Sequence, residues 1–185
     1  MGGGAAPDEV TDHRAVGGVA HVLFLCTGNA ARSVMAGAVL EASGTGLRIS
    51  TAGTHVIEHQ PVSIRTRQAL RAEGFEVADH RSRQLTAAAL VDADLVVAMA
   101  ADHVRYVRRR HPEAAGRTAT LRFLASHLPD GPGPLGARVA VLDLAGVDPD
   151  EQGDVVDPAG GDDADYGACA REVAELMAAL GPRLA

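Results

Sequence analysis

The chain has 185 residues, of which 46% are hydrophobic and only 3% aromatic, and it carries a formal net charge of −7. This length suits one compact domain, and the negative charge argues against a general nucleic-acid binder, which needs a basic surface. Two cysteines are too few for a disulfide framework, and no apolar run reaches the roughly 18 residues of a membrane span. We therefore expect a cytoplasmic protein without a nucleic-acid or membrane partner.

The first third of the chain predicts a leader, two strands and two helices. Residues 1–19 are glycine-rich and lack hydrophobic periodicity, which predicts a flexible N-terminal leader. Residues 21–25, HVLFL, are typical of a strand buried on both faces, and residues 32–43 place apolar side chains at helical spacing. A second strand is expected over residues 48–54, followed by a helix over residues 61–73 that opens on a proline.

The middle of the chain continues the alternation of helices and strands. A short helix is expected over residues 87–93, an apolar strand over 94–99, and a helix over 102–110 that an aspartate caps. Residues 118–124 predict a fourth strand that leads into a short helix. Proline and glycine crowd residues 129–154, which indicates a long surface excursion with room for one helix.

The order of these elements predicts the fold. Residues 163–181 form an amphipathic pattern typical of a final helix. Short strands that alternate with helices predict a single α/β domain over residues 20–185, with a four-stranded parallel sheet and helices on both faces. Ligands of such sheets bind at the carboxyl ends of the strands.

A cysteine stands at one of these strand ends, in the segment CTGNAARS between the first strand and the first helix. A loop of small residues there can direct successive backbone N–H groups into one hollow that binds an oxyanion. Arg32 can close the hollow with its planar guanidinium, and the thiolate of Cys26 would face a bound phosphorus atom. Ser33 can donate a hydrogen bond to the sulfur, Gly28 gives the turn freedom, and Asn29 can hold the loop. The residues expected to surround the phosphate are Thr27, Gly28, Asn29, Ala30 and Ala31.

The leaving group of such a reaction needs a proton, and an aspartate late in the chain is placed to supply it. Asp157, in DVVDPAGGDD, is followed by Pro158, which stiffens the turn. Four other carboxyl groups stand close to it in the sequence and compete for this role: Asp154, Asp162, Asp163 and Asp165.

The segments HVLFLCTGNAARS, STAGTH, HRSRQLT, ADLVVAM and DVVDPAGGDDADY occur in the order found in the low-molecular-weight protein-tyrosine phosphatases. The resemblance covers about residues 20–182 and is similar to the bacterial branch with a D-P-x-G-G acid loop, which includes protein-arginine phosphatases. It implies the Rossmann-like fold of that family and hydrolysis of phosphotyrosine in phosphorylated proteins through a phosphocysteine. The family uses no metal or other cofactor. The implied catalytic residues are Cys26, Arg32, Ser33 and Asp157.

The resemblance also implies that Thr51 and His80 hold Asn29. The chain departs from the family pattern at Val34, where the family helix usually has proline, and at three positions in the loops of the site. Ala31 replaces a second cysteine that can form a protective disulfide with the nucleophile. Ala159 stands where an aromatic residue often walls the pocket. Ala30 occupies a position that is often bulky in tyrosine phosphatases and threonine in arginine phosphatases.

Four alternative functions remain open on the sequence. The first is a protein-arginine phosphatase, and the second is an arsenate reductase that uses Cys26 with an external thiol. The third is an inactive regulator that keeps the phosphate site. The fourth is a metalloprotease, because residues 55–59, HVIEH, match H-x-x-E-H; Val56, Ile57 and the proline at position 61 disfavour the helix that such a site needs.

Overall fold

The computed structural model describes residues 18–77 and 79–185, in which four strands form one parallel sheet with the order β2–β1–β3–β4. Residues 1–17 of the predicted leader lie outside the described residues. The strands are β1 (His21–Cys26), β2 (Arg48–Gly53), β3 (Leu95–Ala98) and β4 (Thr118–Thr120).

Seven helices connect and cover the strands in the described part of the chain. They are α1 (Arg32–Ala42), α2 (Ile64–Ala72), α3 (Ala87–Val91), α4 (Ala101–Arg110), α5 (Leu121–His127), α6 (Leu135–Ala140) and α7 (Asp163–Leu184). Short 3-10 turns occur at Pro112–Arg117 and Pro149–Glu151. None of the helices in the described ranges is both long and apolar enough to cross a membrane.

The sheet is buried on both faces, and β1 shows this most clearly. Val22 and Phe24 pack into a cluster with α1, α5, α6 and α7, whereas Leu23 and Leu25 pack on the opposite face with α3 and α4. All four side chains are at most 1% exposed. Burial of each contributes about 1.5–3 kcal/mol relative to an exposed side chain. The predicted α/β fold with helices on both faces is therefore confirmed.

Two predicted element boundaries are wrong, and in both places a side-chain cap decides where a helix begins. The strand predicted over 118–124 stops at Thr120, because the Thr120 side chain accepts a hydrogen bond from the Phe123 backbone N–H and starts α5. The helix predicted from Pro61 begins at Ile64, since Ser63 Oγ accepts from the N–H of Thr66.

The segment 129–154 is partly buried, unlike the surface excursion expected from its proline and glycine content. Leu135, Val139 and Leu144 join the core cluster that contains α1 and α7. The Arg138 guanidinium is also buried and donates to the backbone carbonyl of Ala185 at 3.0 Å. The segment therefore forms part of the layer that covers the sheet.

Candidate active site

Cys26 is the last residue of β1, which lies in the interior of the sheet, and it is 3% exposed. The next five residues, 27–31, form a loop, here called the anion loop, and α1 begins directly after it at Arg32. The thiol therefore lies at the carboxyl edge of the sheet and beside the N-terminus of a helix, as the sequence predicts. Both positions favour bound anions.

The backbone of the anion loop presents unused hydrogen-bond donors. Within the described ranges, no hydrogen bond uses a backbone N–H of residues 27–32 as its donor. Consecutive N–H groups that lack protein acceptors can all point at one bound anion. The turn depends on Asn29, whose φ is 51°. Gly28 does not have a positive φ, so the conformational freedom expected of Gly28 is used at Asn29 instead.

Asn29 is fully buried and holds the loop with three hydrogen bonds. Its Nδ2 donates to Ser33 Oγ at 3.1 Å, and its Oδ1 accepts from the backbone N–H of Arg83 at 2.9 Å. The ring of His80 lies with Nε2 2.8 Å from the Asn29 carbonyl oxygen. Burial, the main cause, lowers the pKa of His80, which favours a neutral ring that donates this bond.

The contribution expected of Thr51 is not a hydrogen bond. In the described residues, none joins Thr51 to Asn29, and the backbone of Arg83 takes that place. Thr51 instead presents its Cγ2 methyl to α1, where it lies 3.0 Å from the position that a Cβ on Gly37 would take. Its location on β2 makes it a packing contact between that strand and the helix that follows the anion loop.

Ser33 is fully buried, and its Oγ lies 3.0 Å from the sulfur of Cys26. Because Asn29 Nδ2 donates to the same Oγ, the serine proton is free to point at the sulfur. A thiolate accepts such a bond and a leaving thiolate is stabilised by it. This arrangement matches the role that the sequence assigns to Ser33.

Arg32 is 5% exposed, and its guanidinium contacts both Thr27 and residues late in the chain. Nη1 donates to the carbonyl oxygen of Val155 at 3.2 Å. Nη2 donates to Asp157 Oδ2 at 2.5 Å and to Thr27 Oγ1 at 3.4 Å. The predicted clamp and the predicted acid, 125 residues apart in sequence, therefore meet directly.

Asp157 belongs to residues 154–162, here called the aspartate loop, which several backbone contacts hold in place. The Val155 N–H donates to the carbonyl of Met99 at 2.9 Å. Arg122 Nε donates to the carbonyl of Asp154 at 2.7 Å. Asp157 Oδ1 accepts from the N–H of Ala159 at 3.1 Å, which closes a tight turn around Pro158.

The four competing carboxyl groups are occupied elsewhere. Asp154 Oδ1 accepts from the Ala101 N–H at 2.7 Å and thereby caps α4, so the cap expected from residue 102 comes from residue 154. Asp162 and Asp165 form the capping box of α7, and Asp163 pairs with Arg65 at 2.9 Å. Asp157 alone of the five contacts Arg32 through its side chain in the described part of the chain.

Gly53 and His103 also shape the site, and sequence reasoning missed both. A Cβ on Gly53 would lie 2.4 Å from the Thr27 carbonyl oxygen and 2.9 Å from the Asn29 nitrogen, so only glycine lets the end of β2 approach the anion loop. His103 is buried and its Nε2 lies 3.0 Å from Thr27 Oγ1. The STAGT segment offered a signal for Gly53, whereas a single histidine in a predicted helix offered none for His103.

Cys169 is a core residue. It is 3% exposed on α7, and its sulfur lies 3.8 Å from the sulfur of Met35. Burial is the main cause that raises the pKa of this thiol to about 12, which keeps it protonated and unreactive.

Residues 55–59 form loop and turn rather than the helix that H-x-x-E-H requires. Glu58 Oε1 accepts from the backbone N–H of Gln84 at 2.9 Å, and the ring of His55 packs against Tyr106 with centroids 5.7 Å apart. The metalloprotease alternative is therefore excluded by the geometry of these residues.

Known proteins resemble this chain in sequence and in fold. The family model for low molecular weight phosphotyrosine protein phosphatases matches residues 21–131. A protein-arginine-phosphatase of Geobacillus stearothermophilus is 33% identical over 164 residues, which cover 88% of this chain and 95% of the relative.

Two solved structures superimpose on most of the chain. The YwlE arginine phosphatase from Geobacillus stearothermophilus matches with a TM-score of 0.72 and 32% identity, over 89% of this chain and 92% of that one. A low molecular weight protein tyrosine phosphatase from T. tengcongensis matches with a TM-score of 0.69 and 31% identity, over 87% and 97%.

Proposed function

Because this chain belongs to the low-molecular-weight phosphotyrosine protein phosphatase family and is a phosphatase, we propose that it dephosphorylates protein side chains through a phosphocysteine at Cys26. One observation carries the proposal: Arg32, which follows Cys26 across the anion loop, contacts the carboxylate of Asp157, and in the described residues no hydrogen bond uses the backbone N–H groups of that loop as donors. A nucleophile, an oxyanion clamp and a proton donor are the three parts that phosphomonoester cleavage needs.

In the first step, the phosphoryl group takes the place of Asp157 at Nη2 of Arg32. The N–H groups of the anion loop and the guanidinium hold the non-bridging oxygens of the phosphoryl group. Once Arg32 has released it, the Asp157 carboxylate takes up a proton from solvent. The Cys26 thiolate then attacks phosphorus, the bond from phosphorus to the leaving atom breaks, and Asp157 gives that proton to the leaving atom. The products are the phosphocysteine, the free side chain and the Asp157 carboxylate.

In the second step, the same carboxylate accepts a proton from a water molecule whose oxygen attacks phosphorus. The bond between phosphorus and sulfur breaks, and inorganic phosphate is released. The departing thiolate accepts the hydrogen bond of Ser33, whose Oγ is already 3.0 Å from the sulfur. The cycle returns Asp157 to its protonated form and needs no cofactor.

For the substrate we propose phosphotyrosine first, since the matching family model carries that description, and phosphoarginine second. Two observations favour the second candidate. Ala30 in the anion loop and Ala159 in the aspartate loop carry small side chains, which offer no aromatic face against which a tyrosine ring could stack. The relative that the chain covers over 95% of its length is named a protein-arginine-phosphatase. The cytoplasmic location stays a prediction.

The experiment is release of inorganic phosphate from two peptides of one sequence, one with phosphotyrosine and one with phosphoarginine. The expected result is turnover of at least one peptide, and complete loss with Cys26→Ser while inorganic phosphate still binds. Cys169→Ser is the matched control, because it removes the other thiol of the sequence from the core and should keep turnover.

The ratio of the two kcat/KM values assigns the substrate. If the folded protein releases phosphate from neither peptide but reduces arsenate with an external thiol, the proposal is wrong and the reductase alternative takes its place. If it binds phosphate and shows neither activity, the inactive regulator is the correct reading.

A further inference from the structure

His103 is a buried imidazole beside the anion loop that the mechanism above does not use. It lies in the first turn of α4 and is 4% exposed, and its Nε2 is 3.0 Å from Thr27 Oγ1. The same hydroxyl oxygen lies 3.4 Å from Nη2 of Arg32, the atom that also holds Asp157. His103, Thr27 and Arg32 thus form a chain of contacts that ends on the proposed phosphate clamp.

Two arrangements of protons fit the contact between His103 and Thr27. If the threonine donates to Nε2, the proton of the neutral ring lies on Nδ1. That nitrogen is buried and has no hydrogen-bond partner within the described residues, and a buried N–H without an acceptor is rare and costly. If Nε2–H donates to Thr27, Nδ1 carries only a lone pair, which is less costly to leave unpaired. The surroundings therefore favour the second arrangement.

The ring is neutral in this environment. Burial, followed by the Arg32 guanidinium, lowers the pKa of His103 to about 4. The carboxylates of Asp157, Asp154 and Asp102 act in the opposite direction without offsetting these two causes. A neutral ring with its proton on Nε2 is a donor to Thr27 over the whole pH range in which the protein would act.

These contacts determine where the proton of the Thr27 hydroxyl can point. Its oxygen accepts from His103 Nε2 and from Arg32 Nη2, so its own proton must go to a third group. We propose that His103 is a positioning residue that fixes the Thr27 hydroxyl as a hydrogen-bond donor to an oxygen of the phosphoryl group held by Arg32. The inference rests on the proposed function in that the hollow binds a phosphoryl group. It adds a side-chain donor to the backbone donors of the anion loop.

The tautomer of the His103 ring tests whether Nε2 donates to Thr27, and it can be measured without any assay of activity. Long-range proton–nitrogen NMR spectra of the full chain labelled with nitrogen-15 distinguish a protonated ring nitrogen from a bare one. We expect a protonated Nε2 and a bare Nδ1 for His103 at neutral pH. A proton on Nδ1, or a ring protonated on both nitrogens at neutral pH, overturns the inference.

The affinity for inorganic phosphate tests whether the Thr27 hydroxyl donates to a bound phosphate. Thr27→Val and His103→Leu should each weaken phosphate binding about tenfold, the effect of one hydrogen bond to a charged group. The double variant should be no weaker than the singles, because both remove the same donor. Thr27→Ser and His103→Gln keep a hydroxyl and an N–H donor and should restore most of the affinity.

A structural role for His103 alone predicts a different pattern. Thr27→Val would then bind phosphate as the wild type does, and any loss in His103→Leu would be independent of the Thr27 hydroxyl. His21→Leu is the matched control, since it removes a second buried histidine, 6% exposed, at the start of β1, the opposite end of the strand from Cys26. It should lower the melting temperature without changing phosphate affinity.

This experiment separates the two proposals. If the wild type binds phosphate but hydrolyses neither phosphopeptide, the proposed function fails while the phosphate and NMR measurements still decide the role of His103. If the wild type hydrolyses a phosphopeptide and Thr27→Val binds phosphate unchanged, only the inference about His103 fails.

Discussion

In the proposed mechanism, Asp157 has two successive roles, first as the partner of Arg32 and then as the proton donor. In the resting site Asp157 Oδ2 holds the guanidinium of Arg32 at 2.5 Å, although the aspartate side chain is 44% exposed. We propose that an arriving phosphoryl group replaces that carboxylate at Arg32, so that Asp157 can take up a proton and give it to the leaving atom. The contact therefore keeps the clamp aligned before the substrate binds, in the position where its N–H groups are needed.

Asp157→Asn should slow the first step most for poor leaving groups, because an amide cannot supply the proton that they need. We expect a loss of about 100-fold or more with phenyl phosphate and a loss below about tenfold with an activated nitrophenyl ester. Single-turnover release of the phenol isolates this step. Asp130→Asn, at an exposed carboxylate paired with Arg183, is the control, and equal losses for both esters would rule out proton donation by Asp157.

Gly53 lets the end of β2 lie close to the anion loop. In Gly53→Ala the added Cβ would meet the Thr27 carbonyl oxygen at 2.4 Å and the Val56 side chain at 2.5 Å. The anion loop must shift, so we expect a loss of about 2 kcal/mol in the free energy of unfolding and about a tenfold loss in kcat/KM. Chemical denaturation and steady-state kinetics measure these quantities.

Gly136→Ala provides the comparison for that experiment. Gly136 lies in α6, and a Cβ there would meet no atom within 4 Å. Alanine favours helix over glycine by roughly 1 kcal/mol, so this variant should be as stable as the wild type or more so. Wild-type kinetics for Gly53→Ala would show that the anion loop tolerates the shift.

At the scale of elements, α2 joins the two loops of the site. The Thr66 hydroxyl donates to the carbonyl of Ala30 in the anion loop at 3.0 Å. The neighbouring Arg65 donates through Nη1 to the carbonyl of Gly161 at 3.1 Å and pairs through Nε with Asp163 at 2.9 Å. One end of this helix therefore contacts both the anion loop and the aspartate loop.

Arg65→Ala should loosen the aspartate loop without a large change in stability. The Arg65–Asp163 pair is exposed, and such pairs contribute about 0–1 kcal/mol. We expect kcat/KM to fall about threefold to fivefold as the position of Asp157 becomes less defined. Amide hydrogen exchange at residues 160–163 should become faster.

The same helix supplies a matched control for that variant. Arg71→Ala removes an exposed ion pair with Glu76, 3.1 Å long, and should change neither the kinetics nor the exchange of residues 160–163. Equal effects of the two variants would mean that Arg65 acts only through the stability of α2.

At the scale of the whole molecule, burial of neutral imidazoles links stability to pH. Burial is the main cause that lowers the pKa values of His21, His80 and His103, the last to about 4. The unfolded chain binds a proton on each ring near pH 6.5, whereas the folded chain does so only at lower pH. Folding is therefore favoured above this range, and stability falls as the pH drops through it.

For His103 this difference corresponds to a loss on the order of 3 kcal/mol between about pH 7 and pH 4. The free energy of unfolding, measured by urea denaturation across this range, should decline in the wild type. His103→Leu should be less stable at pH 7 but should decline less toward pH 4. Parallel curves for the two proteins would show that His103 does not titrate between these values.

The sequence predicted the sheet, and the placement of Cys26 and Arg32 around the loop at the end of a strand, because both are encoded locally. β1 is a run of apolar residues, and the segment CTGNAARS follows it directly, so the strand end, the thiol and Arg32 are fixed by adjacent positions. The same reasoning failed at Thr120 and Ser63, where one side-chain cap decides a helix start that apolar periodicity does not reveal.

Contacts across long sequence separations were decided only by the tertiary structure. The sequence named Asp157 as the candidate acid beside four competing aspartates. The fold brings Asp157, alone of these five, to Arg32, whereas the other four cap helices or pair elsewhere. It also placed His103 against Thr27, 76 positions apart. The physical reason is that a parallel sheet brings the carboxyl ends of its strands to one edge. Loops that are distant in the sequence meet there, and no local pattern in either segment predicts that contact.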